Sequence, residues 1–315
     1  MRAWLFTAPH QPLQLVELPD PTPAAGEVVI DIKAAGLCHT DVGFLEGAVP
    51  GFPLVSPIVL GHEIAGVVAA IGHGVTSLAV GDRVAALALP SNLPGAAGIG
   101  RHGGYAKKTV VDQSMVLPIG PDLDFAQAAA ATDAGATSYR AVMTRGAVKP
   151  GMRVGIIGLG GLGMTGARIA VLAGAEVYAA EPVESVHAMA IERGVKQVAT
   201  DILQLADRNL ELIVDFAGMH TTGAAIAAAG YGATIVQVGG GRPEAEFIIT
   251  SLVQKELRLL GSSGMSWADA IGVFGLLNSG ELTLMTTDIG FDEIGEGLER
   301  LRRGEVRGRL VARID

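Results

Sequence analysis

The stretch Arg153-Val-Gly-Ile-Ile-Gly-Leu-Gly-Gly-Leu-Gly163 indicates the fold of the second half of this 315-residue chain. Its apolar run leads directly into three glycines, and apolar residues at helical spacing follow as far as Ala173. This pattern predicts a strand, a tight turn and a helix. Gly158 permits the turn, Gly160 lets the backbone approach a pyrophosphate, and Gly163 lets the helix pack closely on the strand. Because the N-terminal N–H groups of the helix would face the phosphates, we predict a dinucleotide site.

The residues around this turn favour NAD as the dinucleotide. Gly161 and Leu162 complete the predicted cofactor-binding turn. A second apolar run, Val177 to Ala180, ends in Glu181, about 20 residues beyond the glycines, where a carboxylate binds the ribose 2′-hydroxyl. Pro-Val-Glu-Ser follows Glu181, so the 2′-phosphate of NADP would meet repulsion rather than a basic partner. The alternative, a glycine-rich turn without function, is disfavoured because strand, helix and acid occur in the expected order.

Length and composition indicate two domains and no membrane segment. At 315 residues the chain is long for a single core. Although 49% of its residues are hydrophobic, no run of about 18 apolar residues escapes interruption by charges or glycine-rich turns. The N-terminal residues lack the apolar length and the cleavage pattern of a signal peptide, so we expect a cytoplasmic protein.

Charge and cysteine content exclude several classes of partner and site. The formal net charge is −9, and basic residues cluster only at Arg300, Arg302 and Arg303, so we expect no nucleic-acid partner. The single cysteine, Cys38, excludes an internal disulfide and any multi-cysteine metal cluster within the chain. A chemical role for Cys38 would therefore be that of a metal ligand or a nucleophile.

The two halves of the chain differ in their secondary-structure pattern. The first third reads as short strands between turns, which suggests a small all-β barrel or sandwich, and Pro90 to Gly104 reads as a surface loop. Beyond it, an alanine-rich helix over Phe125 to Thr144 precedes alternating strands and helices, which predict a parallel sheet wound on both faces. The predicted strands include Leu13 to Leu18, Val28 to Ala34, Ile64 to Ile71, Arg83 to Leu87, Leu212 to Asp215, Thr234 to Val238, Leu257 to Leu260 and Arg309 to Ile314.

Three segments upstream of the glycine turn carry residue types that bind zinc. They are Gly36-Leu-Cys-His-Thr-Asp41, Gly61-His-Glu63 and Ala131-Thr-Asp133. A thiolate, an imidazole and a carboxylate form the kind of set that holds zinc with a fourth position open for substrate. Taken singly, Cys38 could equally be a small buried residue, His62 a hydrogen-bonded core histidine and Asp133 a helix cap.

Taken together, these motifs resemble the zinc-dependent, medium-chain alcohol dehydrogenases along nearly the whole chain. Six motifs in the family's order carry the resemblance: Gly-x-Cys-His-Thr-Asp at 36–41, Gly-His-Glu-x-x-Gly-x-Val at 61–68, Val-Gly-Asp-Arg-Val at 80–84, Gly-Gly-Tyr-Ala at 103–106, Gly-Leu-Gly-Gly-Leu-Gly at 158–163 and Gly-Arg-Leu-Val at 308–311.

The resemblance implies an α/β fold of two domains with the active site in the cleft between them. A GroES-like, β-rich catalytic domain would occupy residues 1–133 and be completed by residues 261–315, with a Rossmann domain over 134–260. It also implies a homodimer or homotetramer, in which the strand region Thr234 to Gly240 pairs across a two-fold axis.

The family's ligand positions transfer residue by residue. Cys38 and His62 become zinc ligands, and Glu63 becomes a neighbour able to coordinate during ligand exchange. The third ligand position, usually a cysteine before Ala-Gly, holds Asp133 here. A carboxylate keeps the single negative charge of a thiolate but is a harder donor, so we expect zinc to be held less tightly than by two cysteines.

Three further positions have roles that the resemblance implies. His39 and Arg309 fall where the family places polar or positive groups on the cofactor pyrophosphate. The alternatives are a solvent-facing loop residue for His39 and an exposed edge charge for Arg309. Thr40 is in the family the hydroxyl that takes the alcohol proton. Bound zinc supplies Lewis-acid chemistry, and a hydride passes between the substrate carbon and the nicotinamide.

Two departures from the family pattern limit this transfer. Many members have a relay histidine three residues after the position of Thr40, where this chain has Gly43. The four-cysteine lobe that holds a structural zinc normally lies where Pro90 to Gly104 contains no cysteine. We therefore predict one catalytic zinc per chain and no structural zinc.

The predicted substrate is a small-molecule alcohol or the corresponding carbonyl compound. Positions that fall near the family's substrate channel are Val49, Ala88, Tyr105, Gly240 and Leu259. Because Ala88 and Gly240 are small, we expect a roomy, apolar pocket for a medium, aromatic or cyclic alcohol.

The leading prediction is a zinc- and NAD-dependent oxidoreductase that interconverts an alcohol and its aldehyde or ketone. One alternative is a reductase of an activated C=C or C=N bond, which the missing relay histidine favours. The other is an inactive NAD-binding protein, which the presence of all three ligand types disfavours.

Overall fold

The computed structural model describes residues 1–49, 52 and 54–315, which form two compact units. The β-rich unit comprises Met1–Asp133 and Ser266–Asp315, and the parallel-sheet unit comprises Ala134–Met265. No helix among the described residues is both long and apolar enough to cross a membrane.

The described residues contain sixteen strands and nine α-helices, numbered here in chain order. They are β1 (Arg2–Phe6), β2 (Gln14–Glu17), β3 (Glu27–Gly36), α1 (His39–Leu45), β4 (Ile58–Val59), β5 (Glu63–Ile71), β6 (Arg83–Ala86), β7 (Lys108–Asp112), β8 (Val116–Pro118), α2 (Phe125–Ala130), α3 (Ala136–Tyr139), β9 (Arg153–Ile157), α4 (Gly161–Leu172), β10 (Glu176–Ala180), α5 (His187–Glu192), β11 (Gln197–Ala199), β12 (Leu210–Asp215), α6 (Thr222–Ala228), β13 (Ala229–Gln237), α7 (Ile249–Gln254), β14 (Arg258–Gly261), α8 (Trp267–Asn278), β15 (Thr286–Gly290), α9 (Ile294–Arg302) and β16 (Arg309–Arg313).

The β-rich unit is built on a seven-stranded sheet whose central strand is β3. The sheet has the order β15-β16-β3-β5-β6-β8, and β7 also pairs with β3. β-branched residues favour the extended backbone of β3, and Val28, Ile30 and Ile32 alternate into one buried core. A separate three-stranded sheet has the order β2-β1-β4. The predicted β-rich architecture is confirmed.

The parallel-sheet unit is a doubly wound sheet with the order β11-β10-β9-β12-β13-β14. Every neighbouring pair is parallel. Numbered within the unit this is 3-2-1-4-5-6, the order of dinucleotide-binding folds, and it confirms the predicted Rossmann architecture. The apolar run Val154 to Ile157 lies in β9 near the middle of the sheet, which explains why it is continuous rather than alternating.

The order of strands in this sheet differs from one prediction, the pairing of the region Thr234 to Gly240 with a second chain. Strand β13, which contains most of the region Thr234 to Gly240, hydrogen-bonds to β12 on one side and β14 on the other. It therefore lacks a free edge, and its predicted pairing across a two-fold axis is wrong. Strand β14 is the terminal strand of the sheet instead, and the side chain of Leu259 on it is 40% exposed.

The segment Pro90 to Gly104 is only partly the surface loop that its sequence suggests. A short 3₁₀-helix occupies Pro90–Gly95, but Ala96 and Ile99 are buried, and Gly104 donates its N–H to Gly61 O at 2.7 Å. The second half of the segment packs against the residues that precede β5. Its glycines permit that approach because a Cβ there would meet the neighbouring backbone.

Candidate metal centre and dinucleotide turn

Cys38 follows β3 and caps helix α1. The Asp41 carboxylate accepts the N–H of Cys38 at 3.2 Å, while Cys38 Sγ accepts the N–H of Thr40 at 3.5 Å. These reciprocal contacts form a capping box that fixes the direction of the sulfur. Thr40 Oγ1 lies 3.6 Å from the same sulfur, so its hydroxyl lies beside the thiol.

His62 directly precedes β5 and is buried with 6% exposure. Its Nδ1 lies 3.4 Å from Asp41 Oδ1, although the atoms are not aligned as a hydrogen bond. Its Nε2 lies 3.8 Å from Asp133 Oδ2. Burial disfavours the imidazolium, but Asp41 and Asp133 more than offset it and hold the pKa of His62 well above its ordinary value. The ring thus has one nitrogen toward each carboxylate.

Asp133 lies in a π-helical turn, Ala131–Gly135, between α2 and α3. Such turns are rare and are frequent at functional sites. The side chain is 17% exposed, and its Oδ2 lies 3.4 Å from Cys38 Sγ. The predicted long helix over Phe125 to Thr144 is therefore real but interrupted at its site residue.

The three predicted ligands converge, and their donor atoms fit a zinc ion. One donor atom each from Cys38, His62 and Asp133 all lie within 4.8 Å of one another. Tetrahedral zinc, with Zn–S of about 2.3 Å and Zn–N or Zn–O of about 2.0–2.1 Å, needs donors roughly 3.3–3.6 Å apart. The contacts of 3.4 Å from sulfur to Asp133 and 3.8 Å from imidazole to Asp133 are close to this requirement.

Arg309 provides the cation beside these donors. Its Nε lies 2.9 and 3.0 Å from the two Glu63 carboxylate oxygens, and its Nη2 contacts Glu63 and lies 2.7 Å from Asp133 Oδ2. Because β16 lies between β15 and β3 and Arg309 is 3% exposed, the alternative of an exposed edge charge is wrong. Burial raises the pKa of Glu63 to about 7, although the charge of Arg309 opposes the rise.

Asp41 is a site residue that the sequence reasoning did not single out. It is fully buried and accepts N–H groups of Cys38 and Gly61 at 3.2 and 3.3 Å, together with the hydroxyl of Tyr105 at 2.8 Å. An acidic residue three positions after an N-cap is the signal that could have found it. A carboxylate against the distal nitrogen of a ligand histidine orients the ring toward the metal.

Tyr105 is misplaced by the sequence-based prediction of the substrate channel. The side chain is fully buried in the core of the β-rich unit, and its hydroxyl is used by Asp41. Its predicted place in the lining of the channel is therefore wrong. The prediction rests on the position of Tyr105 in the family pattern, whereas the glycine at position 61 leaves room for the buried ring.

The remaining predicted pocket residues and His39 lie at accessible positions. His39 is the first residue of α1 and is exposed. Val49 and Ala88 are half-buried in the β-rich unit, whereas Gly240 and Leu259 are exposed in the parallel-sheet unit. Their contacts with substrate, and those of His39 and Arg309 with a pyrophosphate, remain predictions.

The glycine turn has the geometry that its sequence predicts. Gly158 has φ +83°, and a Cβ on Gly163 would collide with Gly158 O. Gly160 is the N-cap of α4, which begins at Gly161, with Leu162 in its first turn. No described protein atom lies within 4 Å of the place where a Cβ of Gly160 would be. The backbone at Gly160 is thus accessible to a phosphate at the helix N-terminus.

Glu181 lies at the same turn. Its Oε2 accepts the N–H of Leu159 at 2.7 Å, and its Oε1 accepts the N–H of Val183 at 3.0 Å. The carboxylate therefore stands against the first residues of the glycine turn, as an acidic residue that binds a ribose hydroxyl must.

Comparisons with known proteins match both units of the chain. Residues 24–121 match the alcohol dehydrogenase GroES-like domain, and residues 161–279 match the zinc-binding dehydrogenase domain. An alcohol dehydrogenase of Geobacillus stearothermophilus is 30% identical over 341 residues, covering 100% of both chains.

Solved structures give the same picture. The acetophenone reductase of Geotrichum candidum in complex with NAD is 29% identical, with a TM-score of 0.90 over 99% of this chain and 96% of that one. A thermostable alcohol dehydrogenase of Pyrobaculum aerophilum, with cobalt and zinc bound, is 27% identical, with a TM-score of 0.89 over 99% of each chain.

Proposed function

The chain belongs to the zinc-dependent, medium-chain alcohol dehydrogenase family, and from this premise we propose how its residues carry out the reaction. The protein is an oxidoreductase that transfers a hydride between an alcohol, or the corresponding aldehyde or ketone, and NAD(H). The observation that supports the proposed site is the convergence of Cys38, His62 and Asp133 within 4.8 Å.

In this proposal Cys38, His62 and Asp133 would hold one zinc ion, and Glu63 would be the neighbouring carboxylate able to coordinate it during ligand exchange. Zinc supplies Lewis-acid chemistry that makes an alcohol hydroxyl acidic near neutral pH and polarises a carbonyl in the reverse direction. Thr40, whose hydroxyl lies 3.6 Å from Cys38 Sγ, would accept the alcohol proton while its own hydroxyl proton passes to water, and both transfers would reverse during reduction. Asp41 orients His62, and Arg309 is the cation that contacts both Glu63 and Asp133.

NAD rather than NADP is the proposed cofactor. Glu181 contacts the glycine turn through Oε2, which accepts the N–H of Leu159, so a 2′-phosphate placed there would face its negative charge. Gly160, Gly161 and Leu162 at the N-terminus of α4 would receive the pyrophosphate, while Gly158 permits the turn and Gly163 allows the close packing of α4 against it. We further propose that His39 and Arg309 face the pyrophosphate, and that the chain holds no structural zinc, because its single cysteine lies in the catalytic set.

Val49, Ala88, Gly240 and Leu259 are the proposed channel residues, and their small or apolar side chains suit a medium, aromatic or cyclic alcohol. An acetophenone reductase among the structural relatives acts on an aromatic ketone by its name, which agrees with this choice.

A second copy of the chain is the proposed partner, through β14. This strand ends the parallel sheet, and an exposed strand edge offers unpaired N–H and C=O groups. Leu259 on this strand is an exposed apolar residue, and further exposed apolar residues shortly precede the strand in sequence: Ile248, Ile249 and Val253. A Leu259→Lys variant should shift the mass measured by light scattering toward the monomer, whereas Ile191→Lys on helix α5 should not. An unchanged mass for Leu259→Lys would exclude β14 as the interface.

Absorbance of NADH tests the proposed reaction. Wild-type protein with NAD and a panel of primary, cyclic and benzylic alcohols should produce NADH, and a zinc chelator should abolish the signal. The Cys38→Ser variant should be inactive, and its circular dichroism spectrum should match that of wild type, which would show that it is folded. Activity that survives both the chelator and Cys38→Ser would overturn the zinc mechanism. Turnover of an activated alkene without turnover of any alcohol would instead favour the reductase of C=C bonds.

A further inference from the structure

Tyr105 is bound to the metal site through one buried carboxylate. Its hydroxyl donates to Asp41 Oδ2 at 2.8 Å, the shortest of the hydrogen bonds that Asp41 accepts. Both side chains are fully buried. Because buried carboxylate oxygens need hydrogen-bond donors, the phenol satisfies part of this need for Asp41.

The two oxygens of Asp41 have different partners, and this difference sets the direction of the carboxylate. Oδ2 receives the N–H of Cys38 and the hydroxyl of Tyr105, whereas Oδ1 receives the N–H of Gly61 and faces His62 Nδ1 at 3.4 Å. Two of the three donors, including the one at the shortest distance, are therefore on the oxygen turned away from His62. With Oδ2 occupied, Oδ1 is the oxygen that remains directed at the imidazole.

From this geometry we infer that Tyr105 is a positioning residue of the metal centre, which acts through Asp41 to hold His62 Nε2 toward the zinc. The inference rests on the proposed zinc site and adds to it a residue that contacts Asp41, the partner of the ligand His62. Partners of ligand histidines tune metal affinity by fixing the ring direction and its basicity. Tyr105 contributes by fixing that partner.

The packing around the ring supports a fixed position for the phenol. Gly61 has φ +88°, and a Cβ there would contact the Tyr105 ring within 2.5–3.0 Å, so only glycine leaves room for the ring beside His62. The N–H of Tyr105 also donates to Leu60 O at 3.0 Å. Burial and the nearby Asp41 charge keep the pKa of Tyr105 well above its ordinary value, so the phenol stays a donor at every physiological pH.

The test is the zinc dissociation constant of Tyr105→Phe, measured by competition with a chromophoric chelator after metal removal. Loss of this partner should weaken zinc binding by roughly tenfold. Tyr178→Phe, in the parallel-sheet unit, is the matched control and should leave the constant unchanged. A Tyr105→Phe protein with unchanged zinc affinity and a lower melting temperature in both the metal-free and the zinc-loaded forms would reduce Tyr105 to a structural residue and overturn the inference.

A second pair of variants tests whether the effect passes through Asp41. In an Asp41→Asn background the orienting charge is already lost, so adding Tyr105→Phe should change the zinc affinity by less than twofold. An undiminished tenfold loss in that background would overturn the inference, and this pair remains decisive if Tyr105→Phe alone folds poorly. Failure of wild-type protein to bind zinc at all would refute the proposed site itself, which is a different result.

Discussion

Arg309 Nη2 lies 2.7 Å from Asp133 Oδ2, the same oxygen that faces Cys38 Sγ and His62 Nε2. One carboxylate oxygen thus contacts the guanidinium and, in the proposed site, would also bind the metal. A carboxylate can do this because each oxygen has two lone pairs. The proposed third ligand, Asp133, therefore forms an ion pair with Arg309. A cysteine thiolate at position 133 would accept a weaker hydrogen bond from the guanidinium.

The first prediction concerns the identity of that ligand. Asp133→Cys should hold zinc more tightly than wild type, because sulfur is the softer donor and Arg309 would no longer withdraw charge from the ligand atom. We expect zinc release to excess chelator to slow by about tenfold, or roughly 1.4 kcal/mol. Metal content followed over time by emission spectrometry measures this. Equal resistance of the two proteins would contradict the account.

The second prediction concerns Arg309 itself. Arg309→Gln leaves Glu63 buried without its cation, and breaking such a pair costs about 3–5 kcal/mol of unfolding free energy. Arg313→Gln is the matched control, because Arg313 is 38% exposed and its ion pairs should contribute less than about 1 kcal/mol. Trp4 and Trp267 both lie in the β-rich unit, so their fluorescence during denaturant titration reports the relevant unit. Equal losses in the two variants would refute a special role for the buried pair.

The third prediction concerns the proton acceptor. Thr40→Val should lower kcat by about 10²- to 10⁴-fold, because it removes the hydroxyl beside the thiol without removing a metal ligand. Thr40→Ser should keep most of the activity. Zinc content measured in parallel must equal that of wild type in both variants. A Thr40→Val enzyme with unchanged kcat would assign the proton transfer to another group.

The fourth prediction concerns cofactor choice. Glu181→Ser should weaken NAD binding by about tenfold through loss of charged hydrogen bonds, and should lower the discrimination against NADP. Glu184→Ser, three residues on and exposed, should leave both affinities unchanged. Titration of cofactor fluorescence measures the two dissociation constants. Wild-type protein that binds NADP as tightly as NAD would contradict the role of Glu181.

The sequence predicted the elements whose signal is local and repeated. The apolar run at β9, the glycine turn and the helix after it could be derived from spacing alone, and so could the alternation that produces the parallel sheet. Short strands such as β4 and β15 were missed, because two to five residues show no usable periodicity and pair only through tertiary contacts. Strand β14 was placed correctly, but its position at the sheet edge follows only from the topology.

At the proposed metal site, the candidate ligands could be predicted from the sequence more easily than the residues that hydrogen-bond to them or lie beside them. The residue types of Cys38, His62 and Asp133 carry the chemistry in the sequence itself. The partners Asp41 and Tyr105 are separated by 64 residues, and their segments meet because β7, which begins shortly after Tyr105, pairs with β3, which ends shortly before Asp41. Likewise, Arg309 follows Glu63 by 246 residues, so nothing local distinguishes a buried ion pair from an exposed charge.

The most direct test of the zinc site is X-ray absorption at the zinc K-edge of protein loaded with one equivalent of zinc. The account predicts one sulfur neighbour at about 2.3 Å and two or three nitrogen or oxygen neighbours at about 2.0–2.1 Å. Cys38→Ser should remove the sulfur contribution from the spectrum. A wild-type zinc shell without sulfur, or binding of two tightly held zinc ions per chain, would contradict a single centre built from Cys38, His62 and Asp133.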